Sequence, residues 1–289
     1  MPDVADRSWF LSQPRSREAL DRDYRTAPFV ASVPDILADW RARTIAAKHE
    51  HPGRLDDGIA YGPHPRERID FYRPDTSGKA PLLVFIHGGF WSATSREEYG
   101  FIATPWTRLG INVAVLDYAL APEVTLTTIT EQALRGLAFL HAAADRLGAR
   151  ADRIVVAGHS AGAHLAAMSQ VADAPRTPIA GLVLISGVFD LRPIAACYVG
   201  DTVRITDNEV RTLSPAWRKP GSSVPTQVVV GENEPLGFHE QSRALSWAWR
   251  DNGCDSGMIL LPDRTHFSIL DDLADPDTLI GRAIRRMVA

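Results

Sequence analysis

Cysteine is nearly missing from this chain of 289 residues: only Cys197 and Cys254 occur, far apart and in no metal-ligand spacing. That excludes a disulfide framework and a cysteine-based metal knuckle, and fits a reducing, cytoplasmic compartment. No apolar run approaches the roughly 20 residues that span a bilayer. The polar opening MPDVADRSWFLSQPRSREALDRDYR lacks the apolar stretch of a secretory signal. Charge of one sign is also lacking. The net charge of -4 and the absence of basic runs give no surface for tracking phosphates, so neither nucleic acid nor an anionic membrane is expected as a partner. Internal repeats and low-complexity tracts are absent too.

What is present describes an ordinary globular protein, 45% hydrophobic and 23% charged, long enough to bury a large core. One domain over residues 1–289 is expected, with a helical arm or partial cap over 1–56 and the main core over 57–289. The arm carries Trp9, Phe10, Tyr24 and Trp40 and predicts a helix from Pro34 to Lys48, broken at His51-Pro52-Gly53. Beyond it, apolar runs alternate with helical patterns. Strands are expected over 69–72, 81–87, 112–117, 153–157, 181–186, 226–231 and 258–261. Helices are expected over 97–109, 130–147, from 161, and 238–252. This alternation predicts an α/β architecture, a mostly parallel sheet with helices on both faces.

Chemistry concentrates in four places. Gly158-His159-Ser160-Ala161-Gly162 follows an apolar strand and opens a helix, the context of a G-x-S-x-G nucleophile elbow. The plain alternative is a simple strand-to-helix turn. The elbow makes Ser160 the candidate nucleophile. His87-Gly88-Gly89-Phe90-Trp91 follows the PLLVFI strand, where a glycine-rich loop supplies backbone N–H groups to an oxyanion. Gly88, Gly89, Phe90 and Ala161 are the expected oxyanion-hole residues. His266 follows the last strand, as the chain order serine, acid, histidine requires of the base. His159, adjoining the nucleophile, is expected to point away from it, and His164 to pack. The loop after TQVVVG offers Glu232 and Glu234 but no aspartate, so Glu234 is the candidate acid, with Glu232 and Asp263 as rivals.

These residues resemble those of the kynurenine formamidase (arylformamidase) family, within the hormone-sensitive-lipase-like group of α/β hydrolases. The carriers are His87–Trp91, the segment GHSAGAHLAAM over 158–168, Leu116–Glu123 (LDYALAPE), Ser186–Leu191, Leu213-Ser214-Pro215, GENEPLGFHEQS over 231–242, and Tyr24–Pro28. The resemblance covers nearly the whole chain and implies the α/β-hydrolase fold and hydrolysis of an aryl formamide such as N-formylkynurenine through an acyl-enzyme. No metal or organic cofactor is implied. A small-molecule substrate is the implied partner, with a homodimer as the assembly to test. Phe90, Trp91 and Tyr24 are expected to wall an aryl pocket, core packing being the alternative for each. One departure stands out: the family carries aspartate where this chain has Glu234. A carboxylesterase for short acyl esters would share every catalytic residue. A non-catalytic hydrolase-fold binding protein would be expected to lack one of the three.

Overall fold

The computed structural model describes residues 14–289, so Trp9 and Phe10 lie outside the described residues. Eight strands form one sheet in the order β1-β2-β4-β3-β5-β6-β7-β8. They are β1 Leu55–Ala60, β2 Arg68–Tyr72, β3 Ala80–Ile86, β4 Asn112–Leu116, β5 Ala149–His159, β6 Gly181–Ile185, β7 Thr226–Gly231 and β8 Ser256–Leu261. Only the β1–β2 and β2–β4 pairs are antiparallel; the other five are parallel.

The central strands carry near-continuous apolar runs, PLLVFI in β3 and IVVA in β5, because both of their faces are covered there. Leu82, Val84 and Ile86 of β3 enter one core together with Val156, Leu184 and Val230. Leu83 and Phe85, one residue out of phase, enter the other with Val155, Ile185 and Val229. The helices are α1 Arg17–Tyr24, α2 Val33–Glu50, α3 Ala103–Arg108, α4 Leu126–Ala142, α5 Ala161–Met168, α6 Arg192–Ala195, α7 Tyr198–Val203, α8 Asp207–Thr212, α9 Leu236–Asp251, α10 Ile269–Ala274 and α11 Leu279–Val288. Buried residues of α1, α4, α5 and α9 belong to the first core, and those of α2, α3, α10 and α11 to the second. Among the described residues, no helix is long and apolar enough to cross a membrane.

Several expected elements shift. The helix expected over 97–109 is broken into two short 3-10 turns and α3. Gly100 marks the break, and a Cβ there would lie 2.3 Å from the Tyr72 hydroxyl. α4 begins before residue 130 because the Thr125 hydroxyl accepts from the Thr128 N–H at 3.2 Å and caps it there. Strand β1 was not expected from its acidic sequence LDDGIA, which shows no apolar alternation; it exists by pairing at the sheet edge.

The arm packs directly on the core. The Ser32 hydroxyl caps α2 by accepting from Asp35, with Pro34 in the first turn. Arg15 bridges Asp23 and, at 2.5 Å, Glu240 on α9. Tyr24 approaches Gly237 so closely that a Cβ there would sit 2.7 Å from its ring.

Candidate active site

The strands of a parallel sheet deliver their loops to one end, and the candidate residues meet at the carboxyl ends of β3, β5, β7 and β8. At the end of β5 the chain turns sharply into α5, with Ser160 at φ 55° and ψ −119°. A non-glycine residue held there stores strain of about 1–3 kcal/mol. The turn is this tight because its glycines admit backbone where a side chain would stand. A Cβ on Gly158 would lie 2.3 Å from the Gly162 carbonyl oxygen, and one on Gly162 would lie 2.0 Å from that of Ile86.

The loop after β3 lies against this turn. A Cβ on Gly88 would meet the His159 ring and the Ser160 Cβ, each at 3.0 Å. Gly89 (φ 98°), Phe90 (φ 46°) and Trp91 (φ 55°) all adopt left-handed backbone. No hydrogen bond among the described residues uses the N–H of Gly89, Phe90 or Ala161. The base of the loop is braced by His87, whose ring stacks on Tyr118 at 4.2 Å and lies 3.1 Å from Asp117 Oδ1. Burial works against the Asp117 charge, but the bonds from His87 and the Arg66 guanidinium hold its carboxyl below the usual range.

His266 and Glu234 meet at the ends of β8 and β7. His266 Nδ1 lies 2.7 Å from Glu234 Oε2, both side chains buried. The other carboxylate oxygen, Oε1, accepts from the Gly231 N–H at 2.7 Å and the Ser186 hydroxyl at 2.6 Å. The rival Glu232 carboxyl is directed elsewhere: its Oε2 accepts from the Asp263 N–H at 3.1 Å. The His266 ring packs against Phe238 at 4.3 Å and His159 at 4.6 Å.

Ser160 and His266 line one cavity of about 230 Å³, with Phe90, Tyr99, Tyr198 and Phe267, and with Thr26, Val33, Leu37 and Trp40 from the arm. Two expected wall residues are not in the lining. Tyr24 is fully buried, its hydroxyl accepting from Gln241 at 3.0 Å, and it braces Phe238 behind His266. Trp91 is turned into the core against His164. Left-handed backbone at successive residues sends Phe90 into the cavity and its neighbour inward. His159 does not point away from the site. It lines the cavity and donates from Nε2 to the His266 carbonyl oxygen at 2.8 Å. Burial, reinforced by His266, pushes its imidazole well below the usual range. His164 packs as expected, donating to the Leu213 carbonyl oxygen at 2.7 Å.

Sequence reasoning gave no site role to Ser186, Tyr198 or Thr202. Ser186 could have been sought, since it ends the GLVLIS strand on the same side of the sheet as the elbow. Nothing in the sequence marks the other two. Asp57, Asp70 and Glu97 lie close enough together to hold a metal ion. Lys48 already bridges them, its Nζ 3.1, 3.3 and 3.0 Å away respectively.

The doubly covered sheet and the elbow define a hydrolase of the α/β class, and the family model described as alpha/beta hydrolase fold matches residues 83–270. Kynurenine formamidase of Drosophila melanogaster is 30% identical over 96% of this chain and 99% of its own length. That of Salmo salar is 30% identical over 80% of this chain and 81% of its own. A crystal structure of a candidate thioesterase from Silicibacter sp. superposes with a TM-score of 0.81 at 27% identity, covering 92% of this chain and 98% of that one. The chain belongs to the kynurenine formamidase family.

Proposed function

We propose that this enzyme is a serine hydrolase that opens an aryl formamide such as N-formylkynurenine, with Ser160 as nucleophile, His266 as base and Glu234 as the acid. One observation carries the reading: Glu234 holds His266 at 2.7 Å in the cavity that Ser160 lines. The carboxylate accepts from Nδ1–H, which leaves Nε2 to take the serine proton. Ser160 Oγ attacks the formyl carbon, and its proton passes to His266. The oxyanion so formed is met by N–H groups of Gly89, Phe90 and Ala161, each worth about 3 kcal/mol, with Gly88 shaping the loop. His266 then protonates the aniline nitrogen, the C–N bond breaks, and the aryl amine leaves. Water, deprotonated by His266, attacks the formyl-serine and formate departs. The aromatic lining and the kynurenine formamidase relatives support the aryl formamide.

In this reading residues 57–289 are the catalytic core and the arm caps its pocket, supported by Thr26, Val33, Leu37 and Trp40 in the lining. The free, buried Cys197 and Cys254 fit the cytosol. The test is kcat/KM on N-formylkynurenine and on p-nitrophenyl acetate for wild type and Ser160→Ala. A Ser160-dependent preference for the formamide is expected. Hydrolysis of the acetate alone would make the protein an esterase.

A further inference from the structure

We propose that Arg25 forms a subsite at the cavity mouth for a carboxylate on the substrate, so that the enzyme favours carboxylate-bearing aryl formamides over neutral ones. The inference rests on the formamidase reading above. Among the described residues that line the cavity, none carries a fixed charge: rings, aliphatic groups, hydroxyls and two imidazoles surround Ser160. An ionised carboxylate placed in that lining would lose its hydration without a charged partner. A substrate that seats its formanilide ring there keeps such a group at the mouth.

Arg25 stands in the right place. It directly follows α1, its side chain is exposed, and the next residue, Thr26, lines the cavity. Its guanidinium carbon lies 5.3 Å from the centroid of the Tyr198 ring, itself part of the cavity wall. That ring is a fixed platform. The Tyr198 N–H donates to Asp21 Oδ1 at 2.7 Å, and its hydroxyl donates to the Tyr24 carbonyl oxygen at 3.3 Å. The acids nearby in sequence are engaged: Asp21 pairs with Arg17 at 3.0 Å, and Asp23 with Arg15 at 2.8 Å. Among the described residues Arg25 has no carboxylate partner. A guanidinium held over a ring with no carboxylate partner has N–H donors to offer, and the guanidinium fork can grip a carboxylate bidentately.

The experiment compares N-formylkynurenine with 2-formamidoacetophenone, the same aryl ketone without the amino-acid end, on full-length wild type, Arg25→Gln and Arg25→Lys. Arg25→Gln is expected to raise KM for N-formylkynurenine roughly 10-fold with kcat unchanged, as loss of uniform binding requires. The neutral ketone is the internal reference, and Arg25→Lys recovers part of the loss. Raising salt from about 0.05 to 0.5 M should raise the wild-type KM for N-formylkynurenine and leave that of Arg25→Gln nearly flat. Equal effects on both substrates, or none, would overturn the subsite while leaving the formamidase reading intact. A wild type inert toward both formamides would overturn that reading and the subsite with it.

Discussion

Ser186 and Glu234 are joined by a buried hydrogen bond of 2.6 Å, from the serine hydroxyl to the carboxylate oxygen that His266 does not use. Ser186 stands at φ 51°, at the end of β6, while its N–H donates to Val229 at 2.7 Å. The carboxylate is thus pinned from two neighbouring strand ends. Ser186→Ala and Ser186→Gly both remove the hydroxyl, but only glycine also relieves the backbone. Both should lower kcat about 10-fold with little change in KM, measured under steady-state conditions. Unchanged kcat in both variants would remove the bond from that role.

Glu234 reaches three partners: His266, Gly231 and Ser186. Glu234→Asp withdraws the carboxylate by one methylene and should cost kcat about 10- to 100-fold. Glu234→Gln keeps the length but removes the charge and the tautomer control, so a loss near 10⁴-fold is expected. Pre-steady-state acylation rates would rank the two, and the reverse order would remove Glu234 from its role.

Glycine loops near the nucleophile should tolerate change unequally. Gly162→Ala drives a Cβ to 2.0 Å from the backbone of Ile86 and should prevent folding, read as loss of soluble protein. Gly88→Ala meets the His159 ring and Ser160 Cβ at 3.0 Å, contacts that yield by a few tenths of an ångström. That variant should fold, with near-wild-type circular dichroism, and lose kcat because Ser160 and the loop are pushed apart.

Acid should destabilise the fold through its buried imidazoles. Burial lowers His164 to about 4 from an ordinary 6.5, the bond to Leu213 only partly offsetting it. Between those values the unfolded chain binds the proton and the folded chain does not, so stability rises with pH. The contribution is complete above the unfolded value and is lost as pH falls from 6.5 toward 4, roughly 3 kcal/mol for this residue. Asp70, raised by burial, acts with the opposite sign. The variant comparison isolates the histidine: His164→Gln should show a smaller fall in urea midpoint from pH 7.5 to 5 than wild type.

The strands were legible because the buried stretches of β3 through β7 are near-continuous apolar runs such as PLLVFI. The elbow was legible because its glycines answer to local crowding, which sequence records directly. His266 and Glu234 followed from chain order after the strands. Tyr24 and Trp91 were misplaced because an aromatic residue near a site reads the same whether it faces the pocket or the core. The direction of Trp91 depends on positive φ values at Phe90 and Trp91, which their side chains do not advertise. Tyr198 and Thr202 were missed because α7 reaches the pocket through tertiary packing alone. The edge strand β1 was missed since pairing with β2, not hydrophobicity, creates it.

The arm contributes Thr26, Val33, Leu37 and Trp40 to a cavity whose opposite wall holds His266 and Phe267. Those two walls are far apart in the sequence, and the cavity is enclosed only where the arm meets both: Tyr24 against Phe238 of α9, and Trp40 against Phe267 beside His266. The pocket is therefore a product of tertiary closure and belongs to no single segment of the chain.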